Sequence, residues 1–157
     1  MKPQRWIPFV LVITALAAAA AGCSRSAQSY LERGNAQLEK GNVDAAVLEY
    51  RNAIQKDATF APARVKLAEA YLRQRNFAGA LGEAVRAADL LPKDVEAQIR
   101  AGSLLGVAGR GEEAKARAEK ALAVDPKNAD AMMLRATAMA RLGDLDGAIE
   151  QMRQAIA

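Results

Sequence analysis

The chain has one cysteine, Cys23, and no histidine. A lone thiol without imidazole closes off His- or Cys-ligated metal centres, serine–histidine and cysteine–histidine catalysis, and internal disulfides. What remains is carboxylate chemistry, and paired acids occur at Glu112 with Glu113 and at Asp144 with Asp146. Such pairs suit general acid–base work or cation binding. Both fall in the first turn of a helix, however, where acidic side chains favour the helix dipole and meet solvent. No catalytic residue, metal ligand or cofactor is therefore assigned. The Lys and Arg residues are interleaved with acids, as in Glu112 to Lys120, and read as a solvated helix face.

The surroundings of Cys23 give its thiol another use. Residues 1–5 carry Lys2 and Arg5, the 16 residues 6–21 carry no charge, and Gly22 and Cys23 follow. A basic start and a short apolar run predict a secretory signal peptide over 1–22. The segment Ala20-Ala21-Gly22-Cys23 resembles a bacterial lipobox, departing from it at Ala20, where the family usually has Leu. The resemblance implies that Cys23 is joined to diacylglycerol through a thioether and becomes the acylated first residue. Ordinary cleavage that leaves a free thiol is one alternative. An uncleaved anchor is the other, although 16 apolar residues fall short of the ~20 that span a bilayer. Two or three acyl chains anchor stably, whereas one holds only marginally. Ser24 follows in place of the Asp that favours inner-membrane retention. The resemblance thus points to a periplasm-facing protein of the outer membrane, if the source has one. Residues 23–28 are the lipidated Cys and a polar linker reaching ~15–18 Å when extended, so the domain that follows works close to the bilayer.

Removing Lys2 and Arg5 from the 22 basic residues leaves 20 against 18 acidic ones. That balance excludes a nucleic-acid patch. With three Phe, three Tyr and one Trp, the core must rest on Ala, Leu and Val, which suits closely packed helices.

From Ala27 onward the chain repeats every 34 residues. Gly34, Ala68, Gly102 and Ala136 form one column, Ala46, Ala80, Ala114 and Ala148 a second, and Ala53, Ala87, Ala121 and Ala155 a third. A fixed period of this size marks a repeat architecture. The units run 27–60, 61–94, 95–128 and 129–157, the last cut five residues short. Each reads as two antiparallel helices. Gly41, Gly109 and Gly143 end the first helix, Asn42, Asn76 and Asp144 cap the second, and Pro92 and Pro126 stop it. Arg75 replaces the turn glycine in the second unit, and Ala58 the proline in the first.

The pattern resembles the tetratricopeptide repeat (TPR), with small residues at unit positions 8, 20 and 27, a large residue at 11, an aromatic at 24 and Pro at 32. Tyr50, Tyr71, Leu105, Met139 and Met152 occupy the large and aromatic positions beside the three small columns. The resemblance covers 27–157 and implies an all-α superhelix, an α-solenoid of antiparallel helix pairs, whose small columns mark helix crossings. It also implies a concave face, lined by the first helices, that binds a protein or peptide. Carried over, the lining includes Leu31, Asn35 and Leu38, then Val65, Glu69, Leu72 and Arg73, then Ile99 and Ser103, and then Met133 and Thr137. Leu31, Leu38, Val65, Leu72, Ile99 and Met133 form an apolar strip that would hold a partner segment or serve packing between units. TPR domains that clamp acidic chaperone tails use Lys, Asn, Asn, Lys and Arg where this chain has Leu31, Asn35, Glu69, Ile99 and Ser103; only Asn35 matches.

These features predict a non-catalytic, lipid-anchored scaffold of the cell envelope. TPR lipoproteins serve pilus secretin biogenesis and exopolysaccharide or exosortase-linked export. The stretches Gly34-Asn35-Ala36-Gln37-Leu38 and Tyr50-Arg51-Asn52-Ala53-Ile54 resemble the exosortase-linked group. The alternative is the targeting arm of an enzyme or transport protein whose active domain lies beyond residue 157. Ile149, Met152 and Ile156 leave the last helix with an apolar face. Further chain, or self-association through that face, would cover it.

Overall fold

The computed structural model describes residues 25–156; the signal peptide and Cys23 lie outside the described residues. The described residues form eight helices and no strand: α1 (Ala27–Glu39), α2 (Val43–Lys56), α3 (Ala61–Arg73), α4 (Phe77–Leu90), α5 (Val95–Val107), α6 (Gly111–Val124), α7 (Ala129–Arg141) and α8 (Leu145–Ile156). First helices begin 34 residues apart, and so do second helices. Each consecutive pair packs as a hairpin, and each hairpin packs on the next in order.

The turns inside the hairpins repeat one closure. Asn42 N–H reaches Gln37 O at 2.9 Å, Asn76 N–H reaches Tyr71 O at 2.9 Å, Arg110 N–H reaches Leu105 O at 2.9 Å and Asp144 N–H reaches Met139 O at 3.0 Å. That closure needs a left-handed residue just past the helix end. Gly41, Gly109 and Gly143 supply it at φ 78°, 77° and 92°, and Arg75 takes it at φ 58°. A side chain in that region costs about 1–2 kcal/mol, so the packing of α3 on α4 holds Arg75 there against its own preference. Asn76 and Asp144 accept from the N–H groups of Gly79 and Gly147 as caps. Asn42 does not cap. Its amide instead donates to Gln37 Oε1 at 3.0 Å, across the same turn. Between hairpins, Pro92 and Pro126 follow the ends of α4 and α6. In the first unit, which lacks that proline, the Thr59 hydroxyl and N–H donate to Asp57 Oδ1 at 2.7 and 2.9 Å. Those bonds hold the Asp57 carboxyl below its ordinary pKa.

The core is made chiefly of alanine. Ala46, Ala53, Ala68, Ala80, Ala114, Ala121 and Ala136 are fully enclosed. Their methyl groups let backbones approach where the helices cross. At position 8 of the first unit Gly34 faces the ring of Tyr50 from position 24. Tyr50 is completely buried, and its hydroxyl donates to Asn35 Oδ1 at 2.9 Å, so the ring cannot swing away. A Cβ on Gly34 would lie 2.6 Å from Tyr50 Cδ1 and 3.0 Å from Cζ. Gly34→Ala gains ~1 kcal/mol of helix propensity but overpacks a fixed ring, at a cost of roughly 1–3 kcal/mol. We expect net destabilisation of about 1–2 kcal/mol in urea unfolding. An unchanged or raised midpoint would show that the ring yields.

Candidate functional site

The concave face is lined by the first helices. Neighbours α1 and α3 touch, as do α5 and α7, while α3 and α5 stand further apart. Three hollows follow one another along it, and their chemistry differs.

The hollow between α1 and α3, about 490 Å³, is lined by Asn35, Leu38, Glu39, Lys66, Glu69 and Arg73. The next, about 210 Å³ between α3 and α5, includes Val65, Lys66, Glu69, Glu96 and Arg100. A chain of charges crosses it. Lys66 Nζ donates to Glu69 Oε2 at 2.9 Å, and Arg100 donates to Glu69 Oε1 and Glu96 Oε1, each at 2.5 Å. Arg100 therefore adds a polar link between α3 and α5, the first helices of two units already packed through their alanines. Burial alone would raise the Glu69 carboxyl, but hydrogen bonds and charge from Lys66 and Arg100 outweigh it and leave its pKa lowered. Arg100 responds in mirror image: burial would lower it, and its bonds to Glu69 and Glu96 raise it. Burial, and next the Glu69 charge, raise the phenol of Tyr50.

The third hollow, about 350 Å³ between α5 and α7, is different. Ile99, Ser103, Gly106 and Val107 face Met133, Thr137 and Arg141 across it. Val107 is 74% exposed and Met133 42%. Thr137 is already committed, its hydroxyl donating to Met133 O at 2.9 Å.

The expected lining residues thus divide. Ile99, Ser103, Met133 and Thr137 meet in one hollow. Glu69 and Arg73 face the first hollow, and Val65 lines the second. Leu72 is half-buried. Leu31 does not form part of an open strip, and Leu38 reaches the first hollow with only a small part of its surface. They are 8% and 9% exposed and pack in the cluster with Tyr50, Ala63 and Leu67, where α3 closes over α1. Asn35 is held by the Tyr50 hydroxyl. Two residues were missed. Lys66 and Arg100 share unit position 6, one period apart, and each stands three or four residues from an acid; that spacing was a readable signal. Gln98 had no such signal. It is 1% exposed, donates to Ala88 O at 2.6 Å and Leu91 O at 3.2 Å, and accepts from Arg117, closing the end of α4. Glu112 and Glu113 are exposed in the first turn of α6, with Glu113 paired to Arg110. Asp144 caps α8, and Asp146 lies in its first turn. Among the described residues no three metal-ligating side chains come together, and no helix is long and apolar enough to cross a membrane.

Because the Glu69 pKa is lowered on folding, its stabilisation is present above the unfolded value of ~4.3 and is lost as pH falls through the folded one. Glu69→Gln should therefore destabilise by about 1 kcal/mol at pH 7, with the gap to the parent chain closing as pH falls through the folded pKa. A difference that persists unchanged below that pKa would assign the effect to packing.

Known proteins bear on this geometry. A tetratricopeptide repeat family model matches residues 99–157, and a TPR repeat model matches 34–74. No curated protein matches the sequence. Among solved structures, MamA from AMB-1 superposes with a TM-score of 0.76 at 18% identity, covering 94% of this chain and 80% of that one. A crystal structure of MamA protein gives 0.73 at 21% identity, covering 83% and 71%. MamA from Desulfovibrio magneticus RS-1, residues 41 to the end, gives 0.73 at 20%, covering 85% and 75%. At these identities the likeness concerns the fold. The chain carries tetratricopeptide repeats, stacked as a helical solenoid of the kind seen in MamA.

Proposed function

We propose that this chain is a non-catalytic scaffold, tethered to a membrane of the cell envelope through acylated Cys23, that holds a protein partner on its concave face. The observation that carries the docking part is the third hollow. Large apolar side chains, Val107 and Met133, stay exposed inside a concavity between first helices. Apolar surface left uncovered in a concave, repeat-built face favours a protein ligand. The membrane part rests on the order of basic residues, apolar run and lone Cys in 1–23. A short linker then sets the array close to the bilayer, periplasm-facing and, by the residue after Cys23, on the outer membrane.

Two experiments test the halves separately. In a bacterial envelope fraction the parent chain should partition with membranes and incorporate labelled palmitate, while Cys23→Ala loses the label and shifts to the soluble fraction. Palmitate labelling that survives Cys23→Ala would remove the anchor from the proposal. For the groove, Val107→Asp with Met133→Asp should lose the proteins cross-linked to the parent in intact cells. Leu48→Asp, an equally exposed apolar site on α2, should keep them. Identical cross-linked sets for all three chains would place the docking surface elsewhere.

A further inference from the structure

The third hollow holds a residue that the fold does not require. Gly106 lies inside α5 and is not among the residues with positive φ. A Cβ added there would meet nothing closer than Ala114 Cβ at 3.9 Å. Alanine would therefore fit and would make the better helix. At the same unit position the first two repeats carry Leu38 and Leu72, whose side chains fill the space. Glycine at position 12 instead leaves the cleft open and lets another backbone come close.

The cleft also has a direction. Asp130 lies at one end and Arg141 at the other, and neither has a salt-bridge partner among the described residues. Arg141 spends one donor on Gly106 O at 2.7 Å, which aims the guanidinium along the cleft and leaves its other N–H groups available. Between those ends the walls are apolar. Ser103 is the one side chain there with an uncommitted hydrogen-bond donor, and the backbones of α5 and α7 are satisfied within their helices. An extended peptide would leave its own N–H and C=O groups unpaired against such walls, whereas a helix arrives with them satisfied.

The geometry points to an amphipathic helix of a partner protein as the occupant, lying parallel to α7 with a basic N-terminal end at Asp130 and an acidic C-terminal end at Arg141. The inference rests on the scaffold reading above. From Asp130 to Arg141 the cleft runs ~17 Å, the length of about twelve helical residues. Apolar side chains on one face of that helix would meet Val107, Ile99 and Met133, with its backbone closest over Gly106.

A synthetic twelve-residue peptide tests this, with Leu at helical spacing, two Lys in the first turn, two Glu in the last and both termini blocked. Its twin exchanges the Lys and Glu. The twin is the better isolated helix, because its charges complement its own dipole, so helicity alone would favour the twin. By fluorescence anisotropy against the full chain, the first peptide should bind about tenfold tighter than the twin at low salt, with the gap narrowing at high salt. Asp130→Lys with Arg141→Glu should reverse the preference. A version with Pro at two central positions should not bind. Gly106→Leu, which supplies the side chain found in the first two repeats, should block binding while leaving the unfolding midpoint unchanged or higher.

Equal binding of the two peptides, binding of the Pro version, or full affinity in Gly106→Leu would each overturn the inference. So would light scattering that shows Gly106→Leu converting a dimer to a monomer, since the occupant would then be a second copy. If Val107→Asp with Met133→Asp loses its cross-linked partner while the peptides show no preference, the scaffold stands and the helix falls. If that variant loses no partner, docking in this groove falls whatever the peptides do.

Discussion

Helices can stack at this spacing only if the residues at their crossings are nearly absent, and the rest of the structure depends on that steric constraint. The enclosed alanines of the three small columns meet it by offering one methyl each. Gly34 meets it beside Tyr50, and Gly102 beside Leu134, whose Cδ2 would lie 2.5 Å from an added Cβ. Small residues bury little apolar area apiece, so the stabilisation per crossing is modest. It accumulates because every hairpin covers the next, which is how a repeat array holds together without one large core.

A thin core leaves polar contacts to set how units sit on one another. Unit position 23 shows this, for it is occupied by Glu49, Glu83, Arg117 and Gln151. Glu49 pairs with Arg33 at 2.6 Å and Glu83 with Arg64 at 2.7 Å, so an acid on the second helix takes a base from the first. In the third unit the sign is reversed. Arg117 pairs with Asp89 of the preceding hairpin at 2.7 Å and also donates to Gln98. Swapping acid for base at one position thus changes the contact from within a unit to between units. On the opposite face Arg100 does similar work, reaching Glu69 across the gap between α3 and α5. Partly buried pairs of this kind contribute little net energy yet fix geometry, since leaving either partner alone costs more than the pair contributes.

The architecture was legible because steric need writes directly into residue type. A period of 34 with Ala and Gly in register has one physical cause, and the helices begin at that interval. The turn at Arg75 was legible in its irregularity, and the backbone there adopts the glycine conformation regardless. The site was less legible. Leu31 and Leu38 occupy lining positions by count, but Ala63 and Leu67 of α3 close over them, and that tertiary packing is not displayed by one sequence. Gln98 belongs to the same class: whether a glutamine ends up exposed or closes a helix end depends on what lies above it. Lys66 and Arg100 were readable in principle, since period and charge spacing both mark them.

Only the inward positions of the first helices escape the crossing constraint, so they are where one fold can carry different surfaces. Position 6 runs Glu32, Lys66, Arg100 and Leu134, and position 13 runs Glu39, Arg73, Val107 and Arg141. Position 12 runs Leu38, Leu72, Gly106 and Ala140. Position 12 turns from large to small between the second and third units, position 13 is apolar only at Val107, and position 6 turns apolar only at Leu134. Charged side chains bridge the N-terminal half, while small and apolar ones open the C-terminal half. In the proposed docking, the C-terminal end of the groove would make the grip. The polar half ties Lys66, Glu69, Glu96 and Arg100 to one another, and the apolar half presents an uncovered surface where a partner would gain most by desolvation.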